Sequence, residues 1–255
     1  MNKKTSIDQH NDEIHENLRH WNKKPQLQTE YKRFYQQIAL KLDNLPKGDV
    51  LECGSGIGNI KTAFPQAITS DLFPNPWLDR QENIYKLNFS DNSLSAVVLF
   101  DVFHHLQFPG NALKELHRTV NNGGRVIIFE PSMGLLGRIV LGLFHHEPLS
   151  LSKPINWFAS SDLDLADTKY YAAQGNAWRI FRAKEKNAEL ADSGWLVKEI
   201  SYFPALAWLL TGGFRGPSLY PNSLKFMIKF IDRALTLNSR FFSARMIVVL
   251  EKTSR

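Results

Sequence analysis

The chain has 255 residues, 43% of them hydrophobic and 22% charged, which suits an ordinary globular protein with one large core. Its single cysteine, Cys53, excludes a disulfide framework. The opening MNKKTSIDQHNDEIHENLRH has lysines but no apolar run behind them, so it does not read as a signal peptide. No apolar run reaches the roughly 20 residues of a membrane-crossing helix, and a cytoplasmic protein is expected.

Residues 8–45 read as two helices broken near Lys24-Pro25, the second ended by Pro46-Lys47-Gly48. DVLECGS is a short buried strand running into glycines. QAITSD (66–71), SAVVLFDVF (95–103) and RVIIFEP (125–131) read as further strands. Between the last two, GNALKELHRTV (110–120) is a helix closed by Asn121-Asn122-Gly123-Gly124. After Pro131 the rhythm changes: a short apolar helix, GLLGRIVLGLFHH, precedes an irregular stretch. A helix at 182–194 and a strand at 195–203 restore the alternation, and a second excursion, 204–241, precedes a last strand at 244–252. Strands alternating with helices imply parallel pairing with both faces covered.

The expected fold is therefore α/β, with a doubly wound, mostly parallel sheet. An N-terminal helical segment (1–47) precedes a ligand-binding core (48–131). Two late insertions, 132–177 and 204–241, separate the core pieces 178–203 and 242–255 and are expected to cap the crevice at the carboxyl ends of the strands.

VLECGSGIG poses the chemical question, because three glycines at alternate positions between a strand and a helix invite close backbone approach by a ligand. A dinucleotide fingerprint requires a glycine where Asn59 stands, and no Gly-Lys-Ser/Thr follows for a phosphate loop. Glu52 would repel a pyrophosphate; a carboxylate here suits a cationic ligand.

At these residues the sequence resembles the class I S-adenosylmethionine-dependent methyltransferases. Their first motif, acid-x-Gly-x-Gly-x-Gly, is matched by ECGSGIG. ITSD ends its strand in Asp71, LNFSDNSLSAVVLFDVFHHL is similar to the family's fourth-strand segment with its His-His, and ELHRTVNNGGRVIIFEP to its helix, Gly-Gly turn and fifth strand. The resemblance implies a Rossmann-like seven-stranded sheet and S-adenosylmethionine as cofactor. It implies cofactor contacts at Glu52, Gly54, Ser55, Gly56, Gly58, Asp71, Leu72, Asn83, Ile84, Asp101 and Val102. Asn83 departs from the family's adenine-binding acid, although its carbonyl can still accept from an amino group. The two insertions resemble a bacterial subgroup, close to the type 11 methyltransferases, with no generally assigned acceptor.

Methyl transfer from a sulfonium chiefly requires alignment, and a hydroxyl acceptor gains from a base such as histidine. His104 and His105 are the candidates, with a structural role in shaping the pocket as the alternative. His145-His146-Glu147 lacks further ligands at metal spacing, so no metal is expected. Tyr31 and Tyr35 read either as a cover for the cofactor or as an ordinary packed helix face.

The insertions are rich in aromatics: Phe144, Trp157, Phe158, Tyr170, Tyr171, Trp208, Phe214 and Tyr220. Trp157, Tyr171, Trp208, Arg215 and Tyr220 are the candidate acceptor contacts, with Arg215 placed to pair with a phosphate. From Ser201 onward eight Lys or Arg stand against two acids, so this quarter holds the whole net charge of +6. The segment 222–237 puts Leu224, Met227, Ile228, Ile231 and Leu235 on one face. It either caps the site, apolar face inward, or lies on the inner surface of a membrane.

The function expected is methylation, at oxygen, of a small-molecule, glycan or lipid-like acceptor. The alternatives are a non-catalytic cofactor-binding scaffold and a nucleic-acid methyltransferase. Nucleic acid is not an expected partner, since no Asn/Asp-Pro-Pro-Tyr/Phe motif follows the fourth strand. The sequence sets no oligomeric state.

Overall fold

The computed structural model describes residues 7–144, 149–161, 165 and 171–253, so His145, His146, Glu147 and Tyr170 lie outside the described residues. Two N-terminal helices, α1 (Ile7–Lys23) and α2 (Pro25–Ala39), meet at Lys24. Pro25 sits at the first position of α2, where its missing N–H costs nothing. α2 stops at Ala39, about two turns before the expected stop at Pro46.

The strands are β1 (Asp49–Cys53), β2 (Ile68–Asp71), β3 (Arg80–Gln81), β4 (Leu94–Phe100), β5 (Val120–Pro131), β6 (Trp195–Phe203) and β7 (Arg245–Lys252). They form one seven-stranded sheet in the order β3-β2-β1-β4-β5-β7-β6. All pairings are parallel except those of β7, which runs against both β5 and β6. β3 has two residues, too short to leave a periodic pattern in sequence. The first crossover, squeezed between Gly58 and β2, is a single 3-10 turn at Asn59–Thr62.

Other helices are α3 (Pro109–Thr119), α4 (Leu135–Phe144), α5 (Asn187–Asp192), α6 (Leu206–Leu209), α7 (Lys225–Leu235) and α8 (Ser239–Phe242). The Asn-Asn-Gly-Gly stretch after α3 is part of β5. Its pairing with β4 slips there, from Leu94 opposite Val120 to Ala96 opposite Arg125, and Gly123 takes the left-handed φ of +76°. The helix expected at 182–194 is a π-helical turn, Trp178–Arg182, followed by the short α5.

β4 is buried along its whole length, as a central parallel strand must be. Val97 and Leu99 join Leu113 and Leu116 of α3 in one core, while Ala96, Val98 and Phe100 join Leu27, Phe34 and Ile38 of α2 in the other. Lys252 ties the far edge down by donating to the His117 and Val120 carbonyls at 2.6 and 2.9 Å, at the carboxyl end of α3.

The topology places the site. β1, β2, β4 and β5 all end at one edge of the sheet, β6 ends there too, and the reversed β7 begins there at Arg245. The excursions after Pro131 and Phe203 therefore leave from the edge that carries the glycine turn.

Candidate functional site

β1 delivers Glu52 to the carboxyl edge fully buried, with no hydrogen-bond partner at either carboxylate oxygen. Burial raises its pKa to about 8, against the pull of the nearby Ser55 and Tyr35 hydroxyls, which favour the charged form. Gly54, Gly56 and Gly58 follow with φ of +70°, +53° and +73°, a left-handed run that other residues adopt only with strain.

Two of these glycines answer to different needs. A Cβ at Gly54 would stand 2.4 Å from Val102 Cγ2, so this glycine lets β1 and the end of β4 close together. At Gly56 a Cβ would meet nothing nearer than Ile14 Cδ1 at 3.7 Å, so packing does not explain it. Its N–H donates to Asp71 Oδ2 at 3.1 Å, and its carbonyl accepts from Trp77 Nε1 at 2.9 Å. Asp71 Oδ1 accepts from the Leu72 N–H at 2.7 Å. Helix α1 reaches over this turn, with Ile14 beside Gly56 and His15 edge-on to Trp77 at 4.9 Å between centroids.

At the end of β4, Asp101 has a φ of +56°, a strained value for a residue with a side chain. Its Oδ1 accepts from Arg245 at 2.6 Å. Arg245 is buried and stacked over Phe129 and Trp208, at 4.5 and 5.0 Å from the ring centroids. Next to it, His104 Nδ1 lies 2.7 Å from Glu130 Oε2, and Glu130 Oε1 accepts from the Phe103 N–H at 2.6 Å. His105 Nδ1 bonds the Tyr171 carbonyl at 2.8 Å, and the two imidazole centroids are 4.1 Å apart. Asp101, His104 and Glu130 offer ligand atoms within 4.8 Å of one another, but the Arg245 guanidinium already supplies a cation on Asp101.

One family model matches the chain, described as a methyltransferase domain, over residues 51–128. Over these residues the chain is similar to a methyltransferase domain. The cofactor to which this similarity points is S-adenosylmethionine. No curated protein matches the chain. Among solved structures, YcgJ from Bacillus subtilis is 14% identical, over 88% of this chain and 99% of that one, with a TM-score of 0.47. An S-adenosylmethionine-dependent methyltransferase from Thermotoga maritima, a possible histamine N-methyltransferase by its description, is 15% identical over 88% and 96%, also at 0.47. Geranyl diphosphate C-methyltransferase from Streptomyces coelicolor is 10% identical over 86% and 78%, at 0.48. The strand order and the single reversed strand, read from this chain's own pairings, are firmer statements about its fold than these scores.

The matched region gathers Glu52, Ser55, the three glycines, Asp71, Leu72, Asp101 and Val102 at one edge. The residues fit the cofactor on two counts. Glu52 is a buried acid whose hydrogen-bonding neighbours are hydroxyls and no cation, which suits an ammonium, and a Cβ at Gly56 would meet only Ile14 Cδ1, at 3.7 Å, so the turn itself is not packed shut. Asn83 has its Oδ1 engaged by the Tyr85 N–H at 3.0 Å, its Nδ2 reaches the Leu165 carbonyl at 3.4 Å, and Ile84 beside it is buried.

Candidates in the insertions divide. Tyr171 adjoins the histidines and Trp208 covers Arg245. Trp157 does not reach the site: it is wedged against Gly110 under α3, where a Cβ would lie 2.4 Å from its ring. Tyr220 is buried between α6 and α7 with Ala207 and Ile228. Both side chains are packed within the protein. Arg215 is exposed on a loop that Lys24 holds by donating to the Gly213 and Gly216 carbonyls.

Tyr31 and Tyr35 are buried and stacked on Phe100, at 5.3 and 4.9 Å between centroids. Cys53 is buried, with its thiol pushed up to about 12, and so is chemically inert.

Sequence reasoning missed Ile14, His15, Trp77, Glu130 and Arg245. Only Glu130 left a signal, an acid ending the apolar run RVIIFEP. The others depend on which distant segments the sheet brings together.

Proposed function

We propose that the chain methylates a hydroxyl on a small-molecule, glycan or lipid-like acceptor, with His104 as general base. The observation that carries this reading is the Glu130–His104 pair at the carboxyl end of β4. When bound, S-adenosylmethionine supplies an electrophilic methyl carbon on a good leaving group.

With the cofactor bound, Glu52 would hold the ammonium of its amino-acid end as a carboxylate, and Asp71 would accept from its ribose hydroxyls. The glycine turn admits the cofactor against the backbone. On the acceptor side, Glu130 takes the Nδ1–H of His104, which leaves Nε2 as the basic nitrogen. His104 Nε2 would take the proton of an acceptor hydroxyl during the transfer, and Glu130 would stabilise the imidazolium that results. Arg245, itself held by stacking, fixes Asp101 beside this pair.

Incubation with labelled cofactor and lipid, glycan, nucleic-acid and protein fractions of a cell extract tests the reading. Label in the lipid or glycan fraction, lost with His104→Ala, is the expected result. Label only in nucleic acid or protein, or turnover unchanged in the variant, would overturn it.

A further inference from the structure

The insertion helices leave large apolar side chains exposed. On α7, the side turned to the protein carries Ile228 and Asp232; Asp232 accepts from Arg33 of α2 at 3.1 Å and from the Leu206 N–H at 2.9 Å. The side turned to solvent carries Phe226 and Phe230, which are 83% and 74% exposed, with Met227 and Ile231 beside them. Farther along, Leu237, 93% exposed, and Phe241 of α8 are also left in solvent. Met227 and Ile231 were expected to share a face with Ile228; the helix is rotated so that the Asp232–Arg33 pair turns inward and the aromatics outward.

α4 extends the feature. Gly134, just before it, lies so close to Ser243, just after α8, that a Cβ there would stand 2.5 Å from the Ser243 carbonyl oxygen, and Gly137 leaves room for the Ser132 carbonyl, 1.8 Å from where its Cβ would be. Outward along α4 run Leu135, Ile139 and Leu143, one turn apart and all exposed. Surface apolar groups this large and this closely grouped mark an interaction face.

Its charge selects the partner. Between Phe203 and Arg245 the chain carries Arg215, Lys225, Lys229, Arg233 and Arg240 against one acid, Asp232, which is buried and paired. A second copy docked on the same face would set cation against cation, whereas aromatic and aliphatic tips flanked by Lys and Arg suit an anionic lipid surface. Among the described residues no helix is long and apolar enough to cross a membrane.

We infer that α4, α7 and α8 form a face that seats the protein on an anionic bilayer. The inference is independent of the methyl-transfer reading. If both hold, the edge of the sheet that carries the cofactor turn lies at the membrane end of the protein, and the acceptor is drawn from the lipid phase.

Co-sedimentation with vesicles of phosphatidylcholine alone, and with one third phosphatidylglycerol, tests it on the full chain. Binding to the anionic vesicles, weakened by salt, is expected to fall at least about tenfold in Phe226→Ser/Phe230→Ser and in Arg233→Glu/Arg240→Glu. Unchanged thermal melting and S-adenosylhomocysteine affinity in the variants show that the fold is intact. Equal binding to both vesicle types, no binding to either, or binding untouched by the substitutions would overturn the inference. So would a concentration-dependent dimer that Phe226→Ser/Phe230→Ser dissolves without vesicle binding in the parent, which would make the face an interface between copies.

Discussion

The glycine turn after β1 and the insertions after β5 and β6 stand at the same edge of the sheet, yet they are built on opposite principles. In the turn, a few consecutive residues set both the backbone and the chemistry: three left-handed glycines, an acid before them and another at the end of the next strand. In the insertions, each aromatic's role depends on a distant partner. Trp157 packs on Gly110, Tyr220 on Ile228, and Trp208 over Arg245. Local chemistry survives in sequence; long-range packing does not.

Substitutions at the turn sharpen this contrast most strongly. Gly56→Val is expected to abolish S-adenosylhomocysteine binding while the protein still folds, because the Cβ meets no close neighbour and only the left-handed φ resists, at about 1–2 kcal/mol. Gly54→Ala is expected to lower stability instead, by forcing Val102 away. Calorimetry of binding beside thermal melting separates the two, and equal behaviour of both variants would break the distinction.

His104→Ala is expected to lower turnover by about 10²–10⁴-fold with cofactor affinity within a few-fold of the parent. Single-turnover transfer to the acceptor fraction measures it, and a loss confined to cofactor binding would make the histidine a pocket wall. Asp71→Ala should weaken cofactor binding at least about tenfold, since charge-assisted bonds contribute roughly 1.5–3 kcal/mol each. Titration calorimetry reads this directly.

A further effect concerns the free protein's dependence on pH. Glu52 has its pKa in the fold raised to about 8 from an ordinary value of 4.5, so the folded chain keeps a proton that the unfolded chain has lost. Stability should therefore fall as pH rises from 4.5 to 8, by at most about 1.4 kcal/mol per unit. Glu52→Gln should flatten that part of the profile in denaturant melts.

Much of the parallel sheet was legible because β1, β4 and β5 are apolar runs bounded by turn residues. β3 was not, since two residues carry no period, and the end of α2 was misplaced because apolar spacing continues past Ala39. Of the candidate site, Glu52, Asp71 and the glycines could be read from contiguous motifs. Arg245 could not, because a basic residue opening a strand gives no hint of Asp101, more than a hundred residues earlier. The exposed side of α7 was half legible: its amphipathic spacing is plain in sequence, but which side faces the protein is decided by Arg33 on α2.

The central claim is that Glu52 is kept buried without a cation of the protein's own so that it can take the cofactor's ammonium. Titration of S-adenosylhomocysteine into the protein at pH 7, in buffers of different ionisation enthalpy, tests it most directly. A carboxyl titrating near 8 is mostly protonated at that pH, so binding should release close to one proton and tighten as pH rises toward 8, with the release absent in Glu52→Gln. Binding without proton release in the parent, or with the same release in the variant, would contradict the account.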